Sequence, residues 1–233
     1  MRISAIVPTL NAAAHLEPCL AALGGADEII VTDGGSTDET LAIARGAGAR
    51  VVSGPAGRGV QLAAGVAAAA HDGLLFVHAD TRLSPGAVEH VRAHLARSAR
   101  PACFALRLDD EAWQARLVES AVAVRTSLFR LPYGDQALAV RRAVYEQMGG
   151  FRPLPLMEDV DLIGRLPPVV MLPHEAHTSA ERWRSDGWVH RSARNLLCLA
   201  LWRAGVRPER IARLYPRPRR AARTPAHRAQ PAE

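Results

Sequence analysis

The sequence has no lysine, since all 29 of its basic residues are arginine. Together with the abundance of alanine, this bias is typical of a GC-rich genome and points to no particular function. Cysteine is scarce too: Cys19, Cys103 and Cys198 lie far apart, each among apolar neighbours. Their spacing contains no metal-binding motif and no disulfide framework, so it favours a reducing cytoplasm.

Long apolar runs are absent as well. No segment approaches the ~20 apolar residues of a membrane span. The first run, from Ile3 to Val7, stops at Pro8 and is too short for a signal peptide. We therefore expect a cytoplasmic protein that at most touches the inner face of the membrane peripherally. The helical region after Trp188 could make such contact, although a helix packed on the body is the favoured interpretation.

The composition predicts one globular domain with a basic tail. Of the 233 residues, 48% are hydrophobic, which gives ample core for one domain made of residues 1–100 and 101–215. The net charge is +6, and residues 216–233 carry +4 of it through five arginines and one glutamate. This proline-rich tail is predicted to be disordered. Its arginines could touch anionic lipid or nucleic acid, but a solvated terminus is favoured and no nucleic-acid partner is expected.

Strand and helix patterns alternate through the first hundred residues, which predicts an α/β fold with a Rossmann-like, mostly parallel sheet flanked by helices. Strands are predicted at 3–7, 28–32, 50–53 and 74–77, and helices over 16–23, from Ser36 with a capping box to Glu39, over 60–70 and from Pro85. The second half is less regular. Strands are predicted there at 104–108 and 137–140, and helices over 113–128, up to Met148, around 158–166 and after Trp188.

The strand at 74–77 ends in His78, Ala79 and Asp80. Its four consecutive apolar residues indicate a strand buried on both faces. Ligand sites of open α/β sheets lie at the carboxyl ends of such strands. A carboxylate there can hold a divalent cation that neutralises a diphosphate leaving group. The alternative is that Asp80 only caps the following turn.

Two further segments suit a nucleotide. The turn 33–38 contains two glycines that let backbone approach a ligand, and Asp33 could accept hydrogen bonds from ribose hydroxyls or a base N–H. Arg58 lies between two glycines at a predicted helix start, one turn before Gln61, where it could meet a diphosphate. A tight turn and an exposed arginine are the structural alternatives. The turn 8–11 has no glycine, so it is not the dinucleotide fingerprint.

Two polar segments interrupt apolar surroundings in the second half. One is Gly134-Asp135-Gln136, and the other is the acidic cluster formed by Glu158, Asp159 and Asp161. Three carboxylates in four residues repel one another, and such crowding raises the pKa of one member, as a general base requires. A solvated acidic helix start is the alternative. The apolar residues on either side of the cluster favour a functional site.

Taken in order, these segments resemble the family 2 glycosyltransferases, which share the A-type nucleotide-sugar-binding fold. The resemblance runs from residue 3 to about residue 215. It rests on six segments: 6–11 (IVPTLN), 33–38 (DGGSTD), 78–81 (HADT), 134–136 (GDQ), 149–151 (GGF) and 157–162 (MEDVDL). Segments 57–61 (GRGVQ), 178–183 (TSAERW) and 208–215 (PERIARLY) are similar to a small bacterial branch labelled as associated with arsenosugar biosynthesis.

The resemblance implies a metal-dependent, inverting transfer of a sugar from a UDP-sugar or GDP-sugar to an unknown hydroxyl acceptor. Residues 1–100 would bind the nucleotide sugar, and residues 101–215 would bind the acceptor and carry the catalytic base. Asp80 would hold Mg²⁺ or Mn²⁺ on the diphosphate, and Asp159 would deprotonate the acceptor with Glu158 beside it. Donor contacts are expected from Pro8, Thr9, Asn11, Asp33, Gly35, Arg58, Gln61, Ala79 and Asp80. Acceptor contacts are expected from Gly134, Asp135, Gln136, Asp161, Arg182 and Trp183.

The sequence departs from the family pattern in three places. His78 stands where the first metal carboxylate is usual, so Asp80 is the one side-chain metal ligand expected on that turn. Ala12 replaces the acidic residue that usually follows the turn at Pro8 and Thr9. The chain after Leu166 is shorter than the family pattern. Acceptor specificity is therefore not transferred from the family.

Two other classes of function were weighed against the residues. A nucleotidyltransferase acting on a sugar phosphate needs a glycine-rich first loop that carries a basic residue, and the turn 8–11 lacks one. A non-catalytic nucleotide-sugar-binding protein would lack the base, yet Glu158 and Asp159 are both present. Glycosyl transfer is therefore the favoured function.

Overall fold

Eight strands form one mixed sheet in the computed structural model, which describes residues 1–215. The predicted basic tail, residues 216–233, lies outside the described residues. The strands are β1 (Ile3–Thr9), β2 (Glu28–Asp33), β3 (Arg50–Ser53), β4 (Gly73–Phe76), β5 (Thr81–Leu83), β6 (Ala102–Leu108), β7 (Leu138–Arg141) and β8 (Val170–Thr178).

Helices cover the sheet and complete the described part of the chain. They are α1 (Ala13–Ala21), α2 (Thr40–Gly46), α3 (Arg58–Ala68), α4 (Ala87–Arg97), α5 (Trp113–Phe129), α6 (Arg142–Gln147), α7 (Glu158–Arg165), α8 (Glu181–Asp186), α9 (Trp188–Arg203) and α10 (Pro208–Ala212). One turn of 3-10 helix, Gly134–Gln136, precedes β7.

The strand order is β3-β2-β1-β4-β7-β6-β8-β5. Strands β3, β2, β1 and β4 are parallel, as the alternating helices between them require. Strand β7 then runs antiparallel to β4 and β6, while β6 and β8 pair in parallel. This α/β sheet flanked by helices confirms the predicted fold class.

The loops of interest meet at one edge of the sheet. Thr9 at the end of β1 pairs with Asp33 at the end of β2, and β4 beside them continues towards Asp80. Because β7 runs antiparallel to β4, the segment 134–136 that precedes β7 lies at the same edge. Strand β8 ends there as well, at Thr178. Ligands of open α/β sheets bind at such an edge.

Strand β1 is completely buried because apolar layers cover both faces of the sheet there. Its alternate residues Ile3, Ala5 and Val7 pack into a layer that includes α1 and α4. Ile6 points to the opposite layer, which includes residues of α3, α6 and α7. The edge of the sheet at which these loops meet is therefore supported by a central strand that is packed on both faces.

Helix α2 begins four residues later than predicted, and the expected capping box at Ser36 is wrong. The hydroxyl of Ser36 donates to Asp33 and accepts from the backbone N–H of Asn11, so it is used by the turns and not by the helix. The helix begins at Thr40, whose N–H donates to Asp38 at 3.1 Å.

Four elements were not predicted: β5, β8, α8 and α10. Strand β8 contains Pro173, His174 and His177, which are not typical of a strand. It forms because it lies between β6 and β5 and pairs with both. Tertiary pairing therefore overrides the local pattern here.

Helices α5 and α9 turn apolar residues outward. The helix predicted over 113–128 is confirmed, but its regularly spaced apolar residues are exposed: Trp113, Leu117, Ala121, Val124 and Leu128. The helix packs instead through Ala115, Glu119, Val122 and Thr126. Helix α9 packs on the body, as favoured above, yet it leaves Val189, Leu196 and Leu197 exposed. Within residues 1–215, no helix has both the length and the apolarity needed to cross a bilayer.

Candidate active site

The turn after β2 is organised around Asp33. Its buried carboxylate accepts hydrogen bonds from Thr9 Oγ1 at 3.0 Å, from the N–H groups of Gly35 and Ser36 at 2.9 Å each, and from the Ser36 hydroxyl. Burial opposes the charge, but these donors outweigh it and lower the pKa of Asp33 below its ordinary value of 3.8. Asp33 therefore joins the turns after β1 and β2.

Asn11 ties the same two turns together from the outside. Its Oδ1 accepts the N–H of Thr37 at 2.8 Å, and its own N–H donates to Ser36 Oγ at 2.8 Å. Asn11 has a φ of 51°, a left-handed conformation that asparagine tolerates. Pro8 is buried within β1, whereas Gly35 is exposed at the rim of the turn.

Gln61 lies beneath these turns and is buried. Its amide nitrogen donates to the carbonyl oxygens of Thr9 and Thr32, both at 2.7 Å, and its Oε1 accepts the N–H of Gly57 at 3.2 Å. Both amide hydrogens are thus used inside the protein. This arrangement favours a positioning role, and direct contact of Gln61 with the donor stays a prediction.

An open cleft with a volume of about 130 Å³ lies at the same edge, on the β7 side of β4. Besides Arg58, it brings together six predicted site residues from distant parts of the chain: Asp80 after β4, Gly134 and Asp135 before β7, Asp159 in the first turn of α7, and Arg182 and Trp183 in α8. Arg58 and His78 also line it. Ala79 is buried between His78 and Asp80.

Asp159 is held in the cleft by main-chain groups. Its Oδ2 accepts the N–H of Gly134 at 2.9 Å, and its Oδ1 accepts the N–H of Val160 at 2.8 Å. The residue lies in the first turn of α7, where the helix dipole favours negative charge. Within residues 1–215, the carboxylate is therefore fixed by main-chain groups and by no other side chain.

Glu158 lies behind the cleft in contact with Arg58. Its Oε1 is 2.5 Å from Arg58 Nε, and the Glu158 side chain is 2% exposed against 38% for Arg58. Burial opposes the charge of Arg58, but Glu158 and then Asp159 outweigh it and raise the pKa of Arg58. Burial also raises the pKa of Glu158, against the attraction of Arg58. The pair joins the start of α3 to the start of α7.

His78 packs tightly against Gly134. A Cβ atom on Gly134 would lie 2.4 Å from His78 Nε2, so no larger residue fits there without movement. Enclosure by the protein, followed by the charge of Arg58, lowers the pKa of His78 to about 4. The imidazole is therefore neutral near pH 7 and adds no positive charge to the cleft.

Two carboxylates of the cleft suit a divalent cation. Within residues 1–215, no hydrogen bond or ion pair engages the side chain of Asp80, and one buried oxygen of Asp135 has no hydrogen-bond partner. Burial raises the pKa of Asp135, and the charges of Asp159 and Asp80 add to this effect. In the same range, no three His, Cys, Asp or Glu side chains form a metal-binding group on their own. One or two carboxylates with substrate phosphates and water are a usual Mg²⁺ environment.

Gln136 and Asp161 do not line the cleft, which corrects their predicted contact with an acceptor. Gln136 is completely buried, donating to the Phe104 carbonyl at 3.0 Å and accepting from Thr126 at 3.1 Å. Asp161 pairs with Arg152 at 3.1 Å and Arg165 at 2.6 Å. Because Asp161 is two residues beyond Asp159 in a helix, the two side chains cannot share one face.

Arg182 and Trp183 line the cleft beside residues that the sequence did not indicate. Trp183 stacks on Trp188 with ring centroids 5.7 Å apart, and the Arg191 guanidinium lies 5.4 Å from the Trp183 ring. The wall is completed by Tyr133, Asn195 and Tyr215, whose hydroxyl donates to Asn195 Oδ1. The available signal was the pair of arginines, Arg191 and Arg194, one helical turn apart just before the apolar stretch from Leu196 to Trp202.

Solved structures with the same architecture include glucosyl-3-phosphoglycerate synthase from Mycobacterium tuberculosis. Its UDP complex is 24% identical with a TM-score of 0.62, covering 88% of this chain and 80% of that chain. Its complex with Mn²⁺ and UDP-glucose is 24% identical with a TM-score of 0.61, covering 88% and 79%. S. aureus TarS is 17% identical with a TM-score of 0.59, covering 92% and 69%. At these identities the similarity shows the fold alone, the A-type fold of glycosyltransferases.

The sequence itself matches a family model. The model described as glycosyl transferase family 2 matches residues 4–147, a stretch that contains Asp33, Arg58, Asp80 and Asp135. Asp159 and Arg182 lie beyond it. Because the match covers more than half of the chain, this protein belongs to glycosyl transferase family 2 and is a glycosyltransferase.

Proposed function

We propose that this glycosyltransferase moves a sugar from a nucleotide sugar to a hydroxyl acceptor with inversion at the anomeric carbon, assisted by Mg²⁺ or Mn²⁺. The observation that carries the proposal is the convergence of Asp80, Asp135 and Asp159 with Arg58 and Arg182 on one cleft at the ligand-binding edge of the sheet. Cations in such a cleft suit a diphosphate, and a fixed carboxylate suits a hydroxyl that must lose its proton.

The donor proposed is a UDP-sugar. Asp33 and its turn stand at the end of β2, and Arg58 begins α3, where a diphosphate would gain from both the arginine and the helix dipole. The similar synthase from M. tuberculosis was solved with UDP and Mg²⁺ and with UDP-glucose and Mn²⁺, which supports uridine. A GDP-sugar is the alternative donor.

Asp80 is the side chain that would hold the metal, with the unpartnered oxygen of Asp135 close by. A bound divalent cation supplies positive charge that stabilises the diphosphate as it leaves. Arg58 adds a permanent charge at the same wall, and Glu158 keeps that arginine in place. Glu158 is therefore proposed as a positioning residue.

Asp159 is the proposed base. Its carboxylate takes the proton of the acceptor hydroxyl while that oxygen forms a bond to the anomeric carbon. The bond from this carbon to the diphosphate oxygen breaks, and the nucleoside diphosphate departs with the electron pair. Attack from the face opposite the leaving group inverts the configuration. A positioned carboxylate of this kind typically contributes ~10²–10⁴ in rate.

The acceptor is proposed to lie beside Gly134 and Asp135, against Arg182 and Trp183. On this arrangement residues 1–100 carry most of the donor contacts and residues 101–215 carry the acceptor contacts. Membership of the arsenosugar-associated branch rests on three sequence segments and is part of the same proposal. Family membership favours sugar transfer over the two alternatives, nucleotidyl transfer and non-catalytic binding.

The test is a donor screen. The protein is incubated with UDP-glucose, UDP-galactose, UDP-N-acetylglucosamine and GDP-mannose, each with Mn²⁺, Mg²⁺ or EDTA, and released nucleoside diphosphate is measured. We expect release from a UDP-sugar that needs the metal and is lost in Asp159→Asn. The anomeric configuration of the product, measured by NMR, tests inversion. Pyrophosphate formation from UTP and a sugar phosphate, without release from any nucleotide sugar, would overturn the proposal.

A further inference from the structure

Helix α5 has an apolar outer face. Trp113, Leu117, Val124 and Leu128 are 54–72% exposed, and Ala121 is exposed between them. At 100° per residue these five positions form one stripe, opposite the packed face of the helix, about 22 Å long. The three charged residues of α5 do not interrupt the stripe: Arg116 pairs with the buried Glu119, and Arg125 donates to Gln136. The helix is thus amphipathic with its apolar side towards solvent.

Helix α9 also turns its apolar side towards solvent. Val189 is 83% exposed and Leu196 66% exposed, and Leu197, Ala193 and Ala200 are also exposed. Its arginines Arg191 and Arg194 face inward, where both pair with Asp186. The helix contains no acidic residue.

Both helices reach one small apolar cluster. Ala115 and Val122 of α5 belong to it, and Trp188, the first residue of α9, packs against it. The outward apolar side chains of both helices have no partner within the described residues. Exposed patches of this kind on a folded domain mark interaction sites.

The part of the chain that begins at the end of α9 is rich in arginine. Nine of the 29 arginines lie between residues 203 and 233, with only two acidic residues, Glu209 and Glu233. Residues 1–202 hold the remaining 20 arginines against 21 acidic residues. All of the positive net charge of the chain therefore belongs to the segment that begins at the end of α9. Within it, Arg203, Arg207, Arg210 and Arg213 are exposed.

We propose that the outer faces of α5 and α9, together with the exposed arginines Arg203, Arg207, Arg210 and Arg213, dock on an anionic phospholipid bilayer. An apolar helix face with adjacent arginines inserts at the boundary between headgroups and acyl chains, while the arginines meet the anionic headgroups. Trp113 at one end of the stripe is a side chain typical of this boundary.

The positive charge of this region favours an anionic bilayer over a second copy of the chain as the partner. Two copies facing each other would bring together two stretches of like charge, since residues 203–215 hold four arginines and one glutamate in each copy, and these repel. Nucleic acid would satisfy the arginines but would leave the apolar stripes of α5 and α9 in water. An anionic bilayer, with an apolar interior and negative headgroups, suits both the apolar stripes and the arginines.

The test is co-sedimentation of the full chain with vesicles. We expect binding to vesicles of phosphatidylcholine mixed with phosphatidylglycerol and little binding to phosphatidylcholine alone. Leu117→Gln with Leu128→Gln should weaken binding roughly tenfold or more, because each leucine leaves water on insertion. Val189→Gln with Leu196→Gln should act similarly. The same change at an exposed position elsewhere, Ala96→Gln on α4, should leave binding intact.

Deletion of residues 216–233 tests the electrostatic part and should also weaken binding roughly tenfold or more. Melting temperatures of the substituted variants should match the parent, because the altered side chains are exposed. Binding that survives both pairs of Leu and Val changes would show that the helices do not insert, and would overturn the proposal. So would a dimer by analytical ultracentrifugation that the same changes dissociate, or binding to RNA without binding to vesicles. None of these measurements depends on the sugar donor, so failure here leaves the proposed reaction untouched.

Discussion

The backbone N–H of Gly134 donates a hydrogen bond to Oδ2 of Asp159 at 2.9 Å. Gly134 precedes β7 and Asp159 begins α7, so this single bond joins two distant segments of the chain. The same glycine contacts His78, which follows β4. One residue without a side chain thus fixes the Asp159 carboxylate relative to the end of a central strand.

Gly134→Ala should lower kcat by roughly 10²-fold, because the added methyl group meets His78 and shifts the N–H that holds Asp159. The matched control is Gly164→Ala, where a Cβ has open space on α7. That change should keep full activity and leave the melting temperature equal or slightly higher. Unchanged kcat in Gly134→Ala would show that this contact does not position the carboxylate.

Asp159→Asn should lower kcat by ~10²–10⁴ while the donor Kd stays nearly constant, because the amide keeps the shape and loses the basicity. Glu158→Gln should lower kcat less and weaken donor binding, because Arg58 loses its charged partner. Steady-state kinetics and calorimetric titration with UDP measure both effects, and circular dichroism checks folding. Full activity in Asp159→Asn with an inactive Glu158→Gln would mean that the two roles are reversed.

Asp80→Asn should remove the effect of Mn²⁺ on the affinity for UDP, measured by calorimetry with and without EDTA. The physical reason is that a neutral amide oxygen is a weaker ligand than a carboxylate for a hard cation. Asp72→Asn is the matched control, an exposed aspartate just before β4 and so at the other end of the same strand. An unchanged metal effect in Asp80→Asn would exclude Asp80 as a ligand.

Gln61→Leu should lower the free energy of unfolding by on the order of 1–3 kcal/mol, because the buried carbonyl oxygens of Thr9 and Thr32 each lose one hydrogen-bond donor and the N–H of Gly57 loses its acceptor. Urea unfolding provides the measurement. Gln147→Leu changes an exposed residue in the same way and should cost less than ~0.5 kcal/mol. Equal stability of the two variants would argue against a positioning role for Gln61.

Asp33 should make the free energy of unfolding depend on pH in the acidic range. Its folded pKa lies below the ordinary value of 3.8, so its contribution is complete above that value and is lost as the pH falls through the folded pKa. In urea unfolding at decreasing pH, Asp33→Asn should therefore lose less stability than the parent in this acidic range. Parallel pH profiles for the two proteins would contradict this prediction.

The first half of the fold could be predicted from sequence because its information is local. Buried strands such as β4 are continuous apolar runs, and they alternate with helices of regular period. Strand β8 could not be predicted, since its residues become a strand only through pairing with β6 and β5. The exposed faces of α5 and α9 show the converse, because periodicity identifies a helix without saying which side meets the core.

The candidate site was predictable where a residue follows a strand or begins a helix. Asp80 and Asp159 both lie at such junctions and both reach the cleft. Gln136 and Asp161 lie in the GDQ and MEDVDL motifs, yet both are buried away from the cleft. A motif does not say to which side of the backbone each side chain points. Arg191 belongs to none of these motifs and, like Tyr215, reaches the cleft through the packing of α8, α9 and α10, while Tyr133 lies just before the GDQ segment.

The carboxylate of Asp159 accepts hydrogen bonds from the peptide N–H groups of Gly134 and Val160. Arg182 and Tyr215 make neither of these hydrogen bonds, so their replacement leaves both in place. With the roles proposed above, the chemistry and the choice of acceptor lie in separable parts of the cleft. A new acceptor preference would then be open to engineering by changing this wall alone, while Asp159 keeps its position.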